Sequence, residues 1–359
     1  MTEDLYRKLA ERLDAIPNGF PATESGVEMQ LLAKIFTPEE ALLASVMRLT
    51  REPAADIAAR AGVDPDVAYD TLKGMARKGL IRFKKDPGQL VFGLMPFVVG
   101  LYEEQLPRMD AEMAALFEQY LQEIKGSIVR DAPAVHRVIP VGEAIPFDLE
   151  IFPYERATEL LENAKSWGVR DCICRVQQHL VGKGCDHPIE NCLVFAPVEG
   201  AFDHSEVDRA ISKQEALQIL HEAEEAGLVH STGNYRDGHN YICNCCTCCC
   251  GILRSVAEFG VPTTAVRSDF YTVVDAEVCV GCGDCLDRCQ FGALSMPGDV
   301  CVADYMRCVG CGLCAIVCPT GAMHLERRPE GEVPPPPTDI KEWMVQRAEQ
   351  RGLSILDVL

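Results

Sequence analysis

From Thr37 onward the chain sets short apolar stretches at helical spacing between sharp polar stops. Thr37-Pro38-Glu39-Glu40 precedes ALLASVMRLT. It supplies a cap, a proline in the first turn and acids on the positive end of the dipole, so a helix should start there. The pattern predicts a second helix over PAADIAARAG, ending at Gly62, and a third over PDVAYDTLKGMARKG, between Asp64 and Gly79. Leu80–Lys85 and Leu90–Phe92 read as two short strands around Asp86-Pro87-Gly88. Residues 1–37 read as helical, with loop signals at Pro17-Asn18-Gly19 and Pro21. Residues 97–130 have helical periodicity, and 131–153, with Pro133, Pro140, Pro146 and Pro153, read as extended. A helix over 154–167 is expected to deliver the chain to Cys172. SKQEALQILHEAEEAGLV (212–229) reads as a helix opened by a Ser212–Glu215 capping box and stopped at Gly227. EGEVPPPPTD (330–339) is a stiff polyproline spacer before a last helix at about 339–351, free to dock on a partner or fold back. The most apolar stretch, 90–102, contains Pro96 and is too short to span a bilayer, so it reads as core.

Three helices followed by a hairpin resemble the winged helix-turn-helix fold over roughly 38–95. The third helix and the hairpin carry Lys73, Arg77, Lys78, Arg82, Lys84 and Lys85. From Arg48 to Lys85 there are nine basic and five acidic residues, which makes this segment positive. The resemblance implies a DNA reader or a protein-docking module. The net charge of −20 opposes approach to phosphate, so the reading favours docking.

The candidate chemistry lies in the cysteines. None of the nineteen precedes Cys172; ten lie between 172 and 250, and nine between 279 and 318. CVGCGDCLDRCQFGALSM (279–296) and CVGCGLCAIVCPTGAMHL (308–325) align without a gap, 29 residues apart. Each is a Cys-x2-Cys-x2-Cys-x3-Cys run, and Pro319 follows the second. A tight loop with a cysteine every third residue brings three thiolates to a cubane but cannot wrap all of it. The segment 279–325 is similar to the bacterial dicluster ferredoxins. The resemblance implies two [4Fe–4S] clusters, one held by Cys279, Cys282 and Cys285 with Cys318, the other by Cys308, Cys311 and Cys314 with Cys289. Gln290 stands where that family usually has proline, and only a local change of the loop is expected from it. Cys301, between the halves, reads as a small buried residue.

The other ten cysteines are Cys172, Cys174, Cys185 and Cys192, then Cys243, Cys245, Cys246, Cys248, Cys249 and Cys250. Such density would be an oxidation hazard without a job, and metal binding is expected, iron–sulfur before zinc. Adjacent cysteines point in different directions, so the CxCCxCCC run cannot place all six on one cubane. It either serves two clusters or leaves spare thiols; a noncubane cluster or zinc are the alternatives. The doubled cysteines are similar to those of heterodisulfide-reductase-like cysteine-rich domains, but the widely spaced repeat of that pattern is missing and no function is carried over. Of the histidines nearby (His179, His187, His204, His221, His230 and His239), His187 is the first to test as a ligand, because it follows Cys185 by two residues.

Composition is that of a globular chain, 48% hydrophobic and 25% charged. A disulfide-stabilised secreted protein would not leave half its length without cysteine, and the N-terminal MTEDLYRKLAERLDAI lacks an apolar signal core. A cytoplasmic location is therefore expected. There is no Gly-rich dinucleotide fingerprint and no phosphate-binding loop, so no flavin or nucleotide is indicated.

The expected fold is α+β and multidomain: a helical region 1–130 with the winged-helix-like part, a cysteine-rich α/β middle domain 131–267, a ferredoxin-like domain 268–328, and a linker with a C-terminal helix 329–359. The expected function is electron transfer with two [4Fe–4S] clusters and one or two further clusters, as subunit or redox partner of a larger anaerobic oxidoreductase. A non-catalytic carrier is favoured over an enzyme with an active cluster in the middle domain and over a redox-sensing DNA-binding regulator. No membrane span is expected.

Overall fold

In the computed structural model, which describes residues 2–146, 149 and 151–354, the chain divides into two units. The first gathers Met1–Asp131, Val176–Gly182 and Met344–Leu359; the second gathers Ala132–Arg175 and Lys183–Trp343. The C-terminal segment thus joins the N-terminal unit, and the middle and ferredoxin-like regions form a single one.

The first unit opens with α1 (Thr2–Asp14) and α2 (Val27–Ile35), whose apolar stripes bury Leu9, Leu13, Leu31 and Leu32. In α3 (Pro38–Ala44) the Thr37 side chain accepts from Glu40 N at 3.3 Å, and the Glu40 carboxylate accepts from Thr37 N at 3.0 Å, a complete capping box. β1 (Glu52–Pro53), α4 (Ala54–Ala61), α5 (Pro65–Arg77), β2 (Ile81–Asp86) and β3 (Gln89–Leu94) follow. The two expected strands pair antiparallel, and the short β1, which the sequence pattern does not reveal, pairs with β3 to give the order β1-β3-β2.

The expected continuous helix over 97–130 is broken. Val98, Val99 and Gly100 have non-helical backbone angles, Pro107 interrupts the tight turns at Glu103–Arg108, and Lys125 is left-handed. Only α6 (Ala111–Ile124) and α7 (Ser127–Arg130) remain α-helical. Phe97 still packs in the core, its ring centroid 4.3 Å from that of Phe20 and 5.6 Å from that of Tyr120.

The second unit contains β4 (His136–Val138), α8 (Ala157–Glu162), β5 (Ser166–Asp171), the first residues of α9 (Ile173–Leu180), which belongs to the first unit from Val176 on, β6 (Glu190–Ala196), β7 (Arg209–Ile211), α10 (Lys213–Glu225), β8 (Val229–Gly233), β9 (Tyr241–Cys245) and α11 (Gly251–Ala257). The helix expected over 154–167 is confined to α8, and the strand β5 brings the chain to Cys172. Asn163 ends that helix early, and the tail from Ser166 pairs with β6 from Ala196. The expected extended region 131–153 holds β4 and a tight turn at Gly142–Ala144, and another tight turn begins at Pro153. Residues 147, 148 and 150 of that expectation lie outside the described residues.

Six strands form one sheet in the order β4-β8-β9-β6-β5-β7. Every pairing is antiparallel, so the middle region is α+β rather than the expected α/β. One face is covered by α8 and α10, burying Leu161, Val169, Leu193, Phe195, Leu220 and Ile242. Ser212 caps α10 by accepting from Glu215 N at 3.1 Å. The expected capping box is only half made, because the Glu215 carboxylate takes a hydrogen bond from Arg209 at 2.7 Å instead.

Later in the chain the second unit holds β10 (Phe270–Val274), α12 (Asp284–Arg288), β11 (Leu294–Ser295), β12 (Val302–Ala303), α13 (Leu313–Ile316) and β13 (Met323–Arg327), and α14 (Ile340–Gln350) belongs to the first unit from Met344 on. β10 pairs with β13 and β11 with β12, both antiparallel. The polyproline spacer is tied down in its own unit: Arg236 N and Asp237 N donate to Pro337 O and Thr338 O at 2.9 and 2.8 Å. In the first unit the fully buried Arg347 donates to Pro17 O at 2.9 Å, so the last helix folds back. Among the described residues, no helix is long and apolar enough to cross a membrane.

Candidate metal centres

The repeated cysteine runs form two loops that each lead into a short helix, α12 and α13. Gly281 and Gly310 have φ of +67° and +70°, and both are crowded. A Cβ on Gly310 would lie 2.1 Å from Phe270 O, and one on Gly281 would lie 2.5 Å from Asp299 O. This close approach lets each loop fold its thiols inward. Cys279, Cys282, Cys285 and Cys318 line one cavity. Cys289, Cys308, Cys311 and Cys314 line a second. The fourth thiol of each cavity therefore comes from the other half of the repeat.

Backbone and hydroxyl groups aim at the sulfurs. Thr272 N lies 3.4 Å from Cys308 Sγ, Thr272 Oγ1 3.3 Å from Cys314 Sγ, Ala293 N 3.3 Å from Cys289 Sγ and Cys301 N 3.5 Å from Cys279 Sγ. Burial pushes the Cys314 thiol up to about 12. Four inward thiols per cavity, ringed by N–H donors, fit a cubane cluster, which needs four thiolates and hydrogen bonds to sulfur.

Residues 278–322 match a family model described as a 4Fe-4S dicluster domain. The match supports [4Fe–4S] binding by this segment. No curated protein and no solved structure matches the chain.

Cys301 is buried, as expected of a small residue, yet it also lines the first cavity, with its Sγ 3.6 Å from Cys285 Sγ.

The middle cysteines fall into two sets. The Sγ atoms of Cys185, Cys246, Cys248 and Cys249 all lie within 4.8 Å of one another. Cys185 comes from the loop after α9, and the other three from the turn after β9, which closes through Cys249 N and Cys250 N onto Cys246 O. Cys246 has a lowered pKa. Hydrogen bonds from Cys248 and Cys249 hold its pKa well below the thiol range, and the fully buried Arg175 adds a contact from Nη2 to Cys246 Sγ at 3.6 Å. Four sulfurs this close suit a single ion or a compact cluster. His187 Nδ1 lies 3.3 Å from Cys185 Sγ, at the edge of the set. The other histidines go elsewhere. His179, His204 and His221 are exposed, His230 bonds Asn244 and Glu224, and His239 bonds Thr232.

The remaining six, Cys172, Cys174, Cys192, Cys243, Cys245 and Cys250, are not members of that set, although Cys174 packs against the buried cluster that holds Cys246 and Cys249. The run CxCCxCCC is thus divided, with Cys243, Cys245 and Cys250 in one set and Cys246, Cys248 and Cys249 in the other.

Gln290 does more than reshape its own loop. Its Oε1 accepts from Thr247 N at 2.7 Å, and its Nε2 donates to Gly227 O. Thr247 stands between Cys246 and Cys248, and Gln290 follows Cys289, so this side chain joins a ferredoxin-like loop to the middle thiols. A proline could make neither bond. Arg288 Nη2 also donates to Glu224 O at 2.9 Å and to Glu225 O at 2.6 Å, placing a cation at the negative C-terminal end of α10. Val141 N donates to Cys311 O at 2.9 Å.

Sequence reasoning missed Thr272 and Arg175. The one available signal was the position of Arg175, directly after the Cys172-x-Cys174 motif.

Proposed function

We propose that this chain is an iron–sulfur electron-transfer protein, acting as a subunit or redox partner of a larger oxidoreductase. In this reading Cys279, Cys282, Cys285 and Cys318 hold one [4Fe–4S] cluster, Cys308, Cys311, Cys314 and Cys289 hold the other, and Cys185, Cys246, Cys248 and Cys249 hold a further centre. Bound clusters supply one-electron reduction and reoxidation without atom transfer. The chain's own residues hold the thiols and aim Thr272, Ala293 and Cys301 donors at sulfur. The observation that carries the reading is the Gln290 bridge, which joins the residue after Cys289 to the residue between Cys246 and Cys248. Anaerobic purification with iron and sulfide analysis and electron paramagnetic resonance tests it. The full chain should hold clearly more than the roughly eight irons of two cubanes. Iron at or below that number after anaerobic reconstitution sinks the middle centre.

The region 38–95 is read as a winged helix that docks an acidic partner. Its exposed side mixes Arg77, Lys84 and Lys85 with the apolar Val67, Tyr69 and Phe83, which are 62%, 37% and 55% exposed. Apolar side chains of this size suit a protein surface better than a phosphate backbone. Sequence-specific DNA binding at moderate salt, altered by loss of the clusters, would replace this reading with that of a redox-sensing regulator.

A further inference from the structure

The six cysteines outside the four-thiol set come together through the sheet. In the antiparallel pairing of β6 with β9, Leu193 opposes Ile242, and both point into the apolar core beneath α8 and α10. The next residues in register, Cys192 and Cys243, therefore share the opposite face, and Cys245, two residues on, shares it too. The packing agrees: Ser231 Oγ, on β8, lies 3.9 Å from Cys245 Sγ. β5 pairs beside β6, Arg170 opposing Cys192, and Cys172 N donates to Ile189 O at 2.8 Å, which sets Cys172 and Cys174 at the same end of the sheet. Cys250 arrives from the turn as the N-cap of α11. The thiols then follow one another around a ring. Neighbouring thiols influence one another around it, Cys172 with Cys174, Cys174 with Cys250, Cys250 with Cys245, Cys245 with Cys243 and Cys243 with Cys192, and the charge of Cys192 reaches Cys172.

This ring differs in kind from the set at Cys185. Among the described residues, only that four-thiol set is tight enough for one ion. The ring is more open and offers more donors than a tetrahedral ion or one cubane can take, since each uses four thiolates. It contains no histidine and no carboxylate, and an all-thiolate donor set selects zinc or iron–sulfur. Arg175 stands between the two sets. Its Nη2 contacts Cys246, its charge reaches Cys172 and Cys245, and its buried Nε has no protein partner, leaving one N–H to offer a sulfide or thiolate.

We propose that Cys172, Cys174, Cys192, Cys243, Cys245 and Cys250 form a separate centre that binds a polynuclear iron–sulfur cluster with more than four of these thiolates. The proposal rests on the reading that this chain carries iron–sulfur in its middle region, and the test separates the two. The full chain is reconstituted anaerobically with iron and sulfide, as wild type, as the Cys192→Ser/Cys243→Ser double variant, as the single variant Cys250→Ser and as Cys248→Ser. Iron and sulfide are counted, Mössbauer spectra are recorded, and the ferredoxin-like signals serve as the control for folding. The double variant is expected to lose at least about four irons and one Mössbauer component. Cys250→Ser should perturb the same component, and Cys248→Ser a different one. Wild-type iron and spectra in both ring variants overturn the proposal while leaving the reading intact if Cys248→Ser loses iron. Zinc in place of iron at the ring also overturns it. A wild-type chain holding only about eight irons removes the reading and the proposal together.

Discussion

Replacing Gln290 tests whether the ferredoxin-like loop and the middle thiols are one mechanical unit. Gln290→Ala deletes an acceptor for Thr247 N and a donor to Gly227 O. The side chain is half-buried, and each bond contributes about 1 kcal/mol net, so the loss is about 2 kcal/mol. In a unit of roughly 200 residues that lowers the melting temperature by about 4–8 °C. Anaerobic scanning calorimetry of the reconstituted full chain reads the shift directly. A second readout is local. Thr247 is flanked by Cys246 and the exposed Cys248, so freeing it should speed alkylation of these thiols in the metal-free protein. Gln290→Pro, the residue usual in dicluster ferredoxins, should cost the same and leave the cubane signals intact. Gln290→Glu should not rescue, because a carboxylate would face Gly227 O without a proton to donate. The reasoning fails if Gln290→Ala and Gln290→Pro both melt within about 1 °C of wild type with unchanged alkylation rates.

Cys318→Ser should remove the cluster signal of the cavity lined by Cys279, Cys282 and Cys285, about four irons, and spare the other; equal damage to both would contradict the crossed arrangement. Arg175→Met strips a buried guanidinium from Pro188 O, Asn191 Oδ1, Asn244 O and Cys246 Sγ. It should cost about 3–5 kcal/mol in denaturant unfolding and lower iron retention in the middle region, and a wild-type midpoint would refute this. Gly310→Ala puts a Cβ 2.1 Å from Phe270 O at a φ of +70° and should cost about 2–4 kcal/mol, against about 1 kcal/mol for Gly321→Ala, whose Cβ meets nothing within 4 Å. Similar losses for the two alanines, measured by calorimetry, would contradict the crowding argument.

Local features of the chain were legible from its order of residues. Thr37 with Glu40, Asp64, Ser212, Gly62, Gly79 and Gly227 start and stop helices because capping involves groups within four residues of one another. The two cysteine runs announced their loops for the same reason: three thiols of each cavity lie within seven residues. Strands of two or three residues, such as β1 and β4, left no periodicity to read, and the pattern over 154–167 suited a helix until Ser166 found a partner in Ala196. The division of CxCCxCCC was beyond the sequence. It depends on Cys192 meeting Cys243 across a ladder 51 residues away in the chain, and on Cys185 being carried by a loop to Cys249 at 3.5 Å. Gln290 is the plainest case. Its sequence neighbours make it a variant of a ferredoxin turn, and only the packing of that turn against Thr247 and Gly227, with backbone groups that need partners, makes it a bridge.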